Sequence, residues 1–418
     1  MKRLALFFVG LLAAHAALAQ DVLIRGATVH TAGPQGTLQN ADVLVQGGVI
    51  RAVGAGLRAP PDTRVVEAGG KPLTPALFGG ITEIGIEEVS GESSTVDSSV
   101  SLRDAQPVRP EFDVTLAYNP DSVLVPVARV EGIGFVALGA GSGAAFVAGQ
   151  GGIVRLDGSP DPIGAKALFV TLGSEAANLS GKSRAAQWML LDQLVDEARG
   201  RVPVTAPQAL LTPAGRAVLA SYLAGNGRVV VAVNRAADIR QLLRWARAHN
   251  LRIAISGGAE AWKLAPQIAQ DGVPVFVDAL ADLPADFDRI GATLQNAARL
   301  QAAGVAVSFV QSNDASHNAR KIRQLAGNAV ANGLPWEAGL AGLTQVPAQV
   351  FGVGDRIGSI APGKLADLVL WSGDPLDVAN VAQQVWLGGR AMPMRSRQTE
   401  LRDRYLQVNP ALPRAYAD

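Results

Sequence analysis

The stretch VVVAVNRAADIRQLLRWARAHNLRIAIS, residues 229–256, contains a β-type run at Val229 to Val233 and the polar link Asn234-Arg235. A helical segment from Ala236 to His249 follows, and then a second β-type run from Arg252 to Ser256. An apolar strand, a loop carrying Asn or Gly and an amphipathic helix together make one βα unit. The pattern continues: a helix is expected over Glu260 to Asp271, strands over Val273 to Val277 and Val305 to Val310, and helices over about Arg289 to Ala303 and His317 to Asn332. Such units repeated from 72 to 352 predict an α/β fold of the (β/α)8, TIM-like barrel kind, with an open α/β sheet as the alternative topology.

On either side of this region the texture changes. Residues 21–71 hold short β-type runs, Val22 to Ile24, Thr28 to Thr31, Asp42 to Gln46 and Val49 to Val53, with Gly47-Gly48 placed as a tight hairpin turn. Residues 355–394 return to strands, Leu365 to Trp371 and Val381 to Leu387, closing on Gly388-Gly389. A β segment at each end of a barrel predicts that the chain ends meet in a small composite β-sandwich. Residues 395–418 read as an Arg-rich C-terminal tail or docking helix. The polar stretch Ser90 to Ser122 is too long for an ordinary βα connection and reads as a lid.

The chain has 418 residues, 48% hydrophobic and 17% charged, with 37 basic against 36 acidic side chains. That balance predicts a globular core and gives no electrostatic footprint for nucleic acid. Cysteine is absent, which excludes disulfides, thiolate nucleophiles and Cys-ligated zinc. Residues 1–19 read as a secretory signal, with Lys2 and Arg3, an apolar run from Leu4 to Ala14 and the pattern Ala17-Leu18-Ala19 before the cut. That run is too short to span a bilayer, so a periplasmic protein without a stable membrane span is expected.

Leu73-Thr74-Pro75-Ala76-Leu77-Phe78, and more specifically Arg356-Ile357-Gly358-Ser359-Ile360-Ala361-Pro362-Gly363-Lys364-Leu365-Ala366-Asp367-Leu368-Val369, carry a resemblance. The chain resembles the amidohydrolase superfamily, in particular its imidazolonepropionase-like metal-dependent hydrolases. The resemblance implies a barrel that hydrolyses C–N bonds with a metal-bound water, held by His-x-His after strand 1, further middle-strand ligands and an aspartate after strand 8. Here the His-x-His position reads Ile81-x-Glu83, strand Val229 to Val233 ends in Asn234, and Arg252 to Ser256 runs into Gly257-Gly258. The aspartate position is kept as Asp314. Four histidines are present in all. One, His15, falls in the signal segment, so the four-histidine binuclear site cannot be built in one mature subunit.

Glu83 and Asp314 are therefore the candidate acid/base pair and the candidate metal ligands, with His317 assisting and Asn234 and Glu260 as substrate-binding candidates. Each has a structural alternative: Glu83 satisfied by Arg or backbone amides, Asp314 as a helix cap, His317 facing solvent, Glu260 at a helix start. Glu87 and Glu88 read as loop carboxylates, and His30 and His249 as structural. Gly139-Ala140-Gly141-Ser142-Gly143-Ala144 matches a dinucleotide fingerprint, yet β-type residues follow it where a helix is required, so it reads as a Gly-rich hairpin over the barrel mouth. The expected function is that of a secreted C–N hydrolase using one divalent metal such as zinc, or none, on a small-molecule substrate. The alternatives are a catalytically silent homologue, pairing with an active relative or with itself, and a small-molecule binding protein.

Overall fold

The computed structural model describes residues 21–100, 108–143, 145–312 and 315–406. Two eight-stranded sheets organise them. The first contains β1 (Val22–His30), β2 (Thr37–Gln46), β3 (Val49–Gly54), β4 (Arg64–Glu67) and β5 (Pro72–Pro75). The second takes β6 (Leu77–Thr82), β7 (Ile133–Leu138), β8 (Val147–Arg155), β9 (Ile163–Thr171), β10 (Arg228–Val233), β11 (Ile253–Gly257), β12 (Val275–Val277) and β13 (Val307–Phe309). The chain then returns to the first sheet with β14 (Leu368–Trp371), β15 (Ala382–Leu387) and β16 (Arg390–Ala391). The crossing between sheets falls at Ala76.

In the first sheet the order β16-β15-β14-β5-β1-β2-β3 places strands from both chain ends side by side, and β4 also pairs with β1. Gly47 and Gly48 adopt φ of 57° and 80°, the left-handed values a two-residue turn between β2 and β3 requires. Val22, Ile24, Val29, Val43, Val45, Leu368, Leu370 and Trp386 form its buried core.

The second sheet is a nearly closed barrel, running in strand order from β6 to β13. Its neighbouring strands are parallel except β8, which is antiparallel to both β7 and β9. The connections on either side of β8 are too short for a crossover helix, and a short connection can only reverse the chain. The Gly-rich stretch expected to form a hairpin over the mouth therefore leads into a wall strand. Its glycines are set by close approach: a Cβ at Gly151 would lie 1.9 Å from the Leu138 carbonyl oxygen. Phe78, Phe135, Phe276 and Phe351 fill the barrel, with ring centroids 5.3 Å apart for the first two and 5.7 Å for the last two.

The helices outside the wall are α1 (Leu124–Arg129), α2 (Arg184–Ala198), α3 (Pro213–Leu223), α4 (Ala236–His249), α5 (Ala265–Gln270), α6 (Asn296–Ala302), α7 (Ala315–Asn318), α8 (Ile322–Ala331), α9 (Trp336–Gly342), α10 (Gln345–Val350) and α11 (Arg397–Leu406). The helix expected over Glu260 to Asp271 begins as a 3-10 turn, Ala261–Leu264, before α5 takes over with Pro266 in its first turn. The helix expected from Arg289 starts at Asn296. Ser90 to Ser122 is not a free lid in its described second half. Val108 and Asp113 bridge to Val147 and Gln150 of β8, and Thr212 donates to Glu111 at 2.8 Å. No described helix is long and apolar enough to cross a membrane.

The two bodies are joined by buried polar contacts. Arg155 on β8 donates to Asp367 at 3.1 and 2.6 Å, and Asp367 also accepts from the Gly388 amide at 2.6 Å. Within the first sheet, the fully buried Trp371 indole of β14 donates to Thr74 of β5 at 2.8 Å.

Candidate functional site

The C-terminal ends of the parallel strands define the barrel mouth, where loops carry chemistry in this architecture. Glu83 leaves the end of β6 half-buried, and the Ser316 hydroxyl of α7 donates to its carboxylate at 3.4 Å. His317 is the next residue of α7. The structure thus brings Glu83 and the His317 turn together across the seam where β6 faces β13. Asp314, the third member of the expected group, lies outside the described residues. Of the neighbouring acidic residues, Glu88 accepts from Ser122 at 2.9 Å, and the Glu87 backbone bridges to Ile84 and Val96.

Asn234 and Glu260 meet each other rather than Glu83. The Asn234 side-chain oxygen accepts from the Ala259 amide at 3.3 Å, and its carbonyl accepts from the Glu260 amide at 3.0 Å. Glu260 is buried, with one oxygen taking the Ala236 amide at 3.0 Å and the other taking Lys263 at 2.7 Å and the Gly291 amide at 2.8 Å. Burial opposes its ionisation, but the two amides and the Lys263 ammonium outweigh that and hold its pKa below the usual carboxylate range. Its contacts fasten the starts of α4 and of the loop before α6. The described polar contacts of these two substrate-binding candidates hold loops.

A second bracket on the same rim leaves almost no trace in the sequence. Arg184 pairs with Asp238, in the first turn of α4, at 3.0 Å and with Asp288 in the loop after β12. Asp288 also accepts from the Ser174 amide and hydroxyl, both at 2.8 Å. Burial raises the Asp238 pKa despite Arg184. For Asp288 burial is outweighed by Ser174 and Arg184, so its pKa falls. The only sequence signal was an acidic residue in a helix's first turn, which the helix dipole explains without a partner.

Residues 218–392 match the profile of the amidohydrolase family. The crystal structure of an amidohydrolase from Thermotoga maritima is 25% identical, with a TM-score of 0.78 over 90% of this chain and 100% of that one. The chain belongs to the amidohydrolase superfamily. An adenosine deaminase from Xanthomonas campestris with bound zinc shares the fold of this superfamily member, at a TM-score of 0.52 and 18% identity over 93% of this chain and 99% of that one. Amidohydrolase tasK of Hapsidospora irregularis is 42% identical over 74 residues, which is 18% of this chain and 8% of that protein's length.

Superfamily membership implies a metal at the mouth, and the described donors do not fit one. At the first His position, Ile81 is packed so that a Cβ on Gly139 would come within 2.8 Å of it. Gly257 has φ of +86° and no room for a side chain, because a Cβ would sit 2.6 Å from the Asn234 oxygen. Both Glu260 oxygens are committed to amides and Lys263. Among the described residues no three His, Asp or Glu side chains are grouped to hold a metal ion.

Proposed function

We propose that this superfamily member is a hydrolase of a C–N bond in a small molecule, with its chemistry at the seam between β6 and β13. The observation that carries this reading is Glu83, a half-buried carboxylate at a strand's C-terminal end, oriented by Ser316 beside His317. A carboxylate so placed takes a proton from water as the oxygen bonds to the carbonyl carbon. The C–N bond then breaks, and the proton passes from Glu83, directly or relayed through His317, to the leaving nitrogen. Asp314, by superfamily resemblance, completes the group. No step is assigned to a metal, because the described donors do not fit one.

A screen of amides, cyclic imides and dipeptides with the mature protein tests the reading. Turnover lost in Glu83→Gln with the melting transition unchanged supports it, and turnover unchanged in that variant refutes it. Elemental analysis of protein purified without chelator decides the cofactor question independently: about one equivalent of zinc, lost in Asp314→Asn, would place Asp314 and Glu83 as ligands.

One observation favours a second reading, a silent homologue acting as a binding protein or as partner of an active one. Ile81 fills the first ligand position, and Asn234 and Glu260 serve as loop brackets. That reading predicts no turnover in the screen and co-purification with a homologue. Export is part of the proposal: the periplasmic protein should begin at Gln20, which intact-mass measurement of periplasmic material reads directly.

A further inference from the structure

The barrel's other end holds a cluster of cations that the hydrolase reading does not use. Lys166 lies near the start of β9, Arg228 opens β10 and Arg252 directly precedes β11, so parallel strands place all three at the closed end, opposite the mouth. They line one cavity of about 70 Å³ with Ala165, Gly227 and the backbone that follows α10. Its lining contains no carboxylate. Arg228 is spread over two carbonyls, donating to Val350 at 3.0 Å and Ile253 at 2.8 Å. Lys166 pairs with Asp113, while burial and then the Arg252 charge lower the Arg228 pKa. Two guanidinium groups therefore face a shared space, and no carboxylate pairs with either among the described residues. Like charges drawn together around a cavity are stabilised by an anion, and planar N–H forks match the oxygens of phosphate. A trough of about 540 Å³, which shares Ala165, Lys166 and Gly227 with the cavity, opens it to solvent past Ser221 and Asn226.

We propose that this cavity is an oxyanion site, taking a phosphate-type group between Arg228 and Arg252 with Lys166 at its rim. Occupancy ties β10, β11 and the segment after α10 together at the closed end, far in the fold from Glu83. The site is independent of whether the mouth is catalytic.

Calorimetric titration of the mature chain with inorganic phosphate, at ionic strength held constant with sodium chloride, tests it. The expected result is saturable binding of one equivalent. Arg252→Gln should weaken it about tenfold or more and Arg252→Glu should abolish it, while Arg252→Lys keeps most of it. Arg252 is exposed, so these variants spare the fold. Replacing Arg228 would confound binding with the loss of two carbonyl contacts. Absence of saturable binding, or wild-type affinity in Arg252→Gln, overturns the proposal and leaves the arginines as caps of backbone carbonyls.

Discussion

Replacing Glu260 separates a loop bracket from a substrate ligand. Glu260→Ala removes the acceptors of the Ala236 and Gly291 amides and of Lys263. The Lys263 side chain is 37% exposed and finds water when released, so its share is small. The two amides lose charge-assisted bonds in a site with little access to solvent, at about 1–2 kcal/mol each, for a total of about 2–4 kcal/mol. Glu260→Gln keeps one acceptor oxygen and should cost about half as much. The pH dependence has a definite sign. Because the folded pKa lies below the ordinary 4.5, the carboxylate's contribution is full above that value and is lost as pH falls through the folded pKa. Urea unfolding of wild type and Glu260→Gln, followed from pH 7 to pH 3, should give stability curves that converge as the medium becomes acidic. Parallel curves would refute the reasoning. So would an Ala variant of unchanged stability that has lost substrate binding, since that pattern belongs to a side chain that touches ligand.

Three further outcomes follow from packing and pairing. Gly151→Ala would drive a methyl group to 1.9 Å from the Leu138 carbonyl oxygen, so the midpoint should fall by the equivalent of about 3 kcal/mol in thermal or urea unfolding. Asp367→Ala takes from Arg155 a partner that is 5% exposed; Asp157 remains at 2.5 Å, so the expected loss is about 2–4 kcal/mol, with double-mutant coupling to Arg155. Trp371→Phe removes the indole donor to Thr74 and should cost about 1–3 kcal/mol in the same assay.

The strands β10 and β11 were legible almost to the residue, because Val229 to Val231, Val233 and Ile253 to Ile255 are buried and mostly β-branched. The meeting of the chain ends could be read in the same way, since Asp367 opens into an apolar run, Leu368 to Leu370, that pairs with β5. β8 resisted reading for a physical reason. Its glycines exist to let the Leu138 and Phe112 backbones come close, which leaves few side chains to betray a strand. The short start of α6 was hidden too, because Gly291 is consumed by the Glu260 bracket. At the candidate site, Glu83 stands out in the sequence by its position after a strand. The Arg184 bracket was not, since Asp288 reaches Ser174 across 114 positions and Arg184 across 104. No local pattern encodes such a separation.

The two brackets bear on where chemistry can reside. A carboxylate oxygen that accepts a backbone amide and an ammonium has its lone pairs directed into the protein, and a reaction would have to break those bonds before using it. Glu260 is in that state, and Asp288 is held by Ser174 and Arg184. Their cost of release is also the source of their stability contribution, so these residues stiffen the exits of β9 to β12 at the expense of reactivity. At Glu83 the Ser316 hydroxyl donates from 3.4 Å, a long hydrogen bond that a water or substrate atom can replace. A rigid rim on one side and the carboxylate of the proposed chemistry at the seam form a division of labour. It predicts opposite signatures, with Glu260 variants losing stability before turnover and Glu83 variants losing turnover before stability.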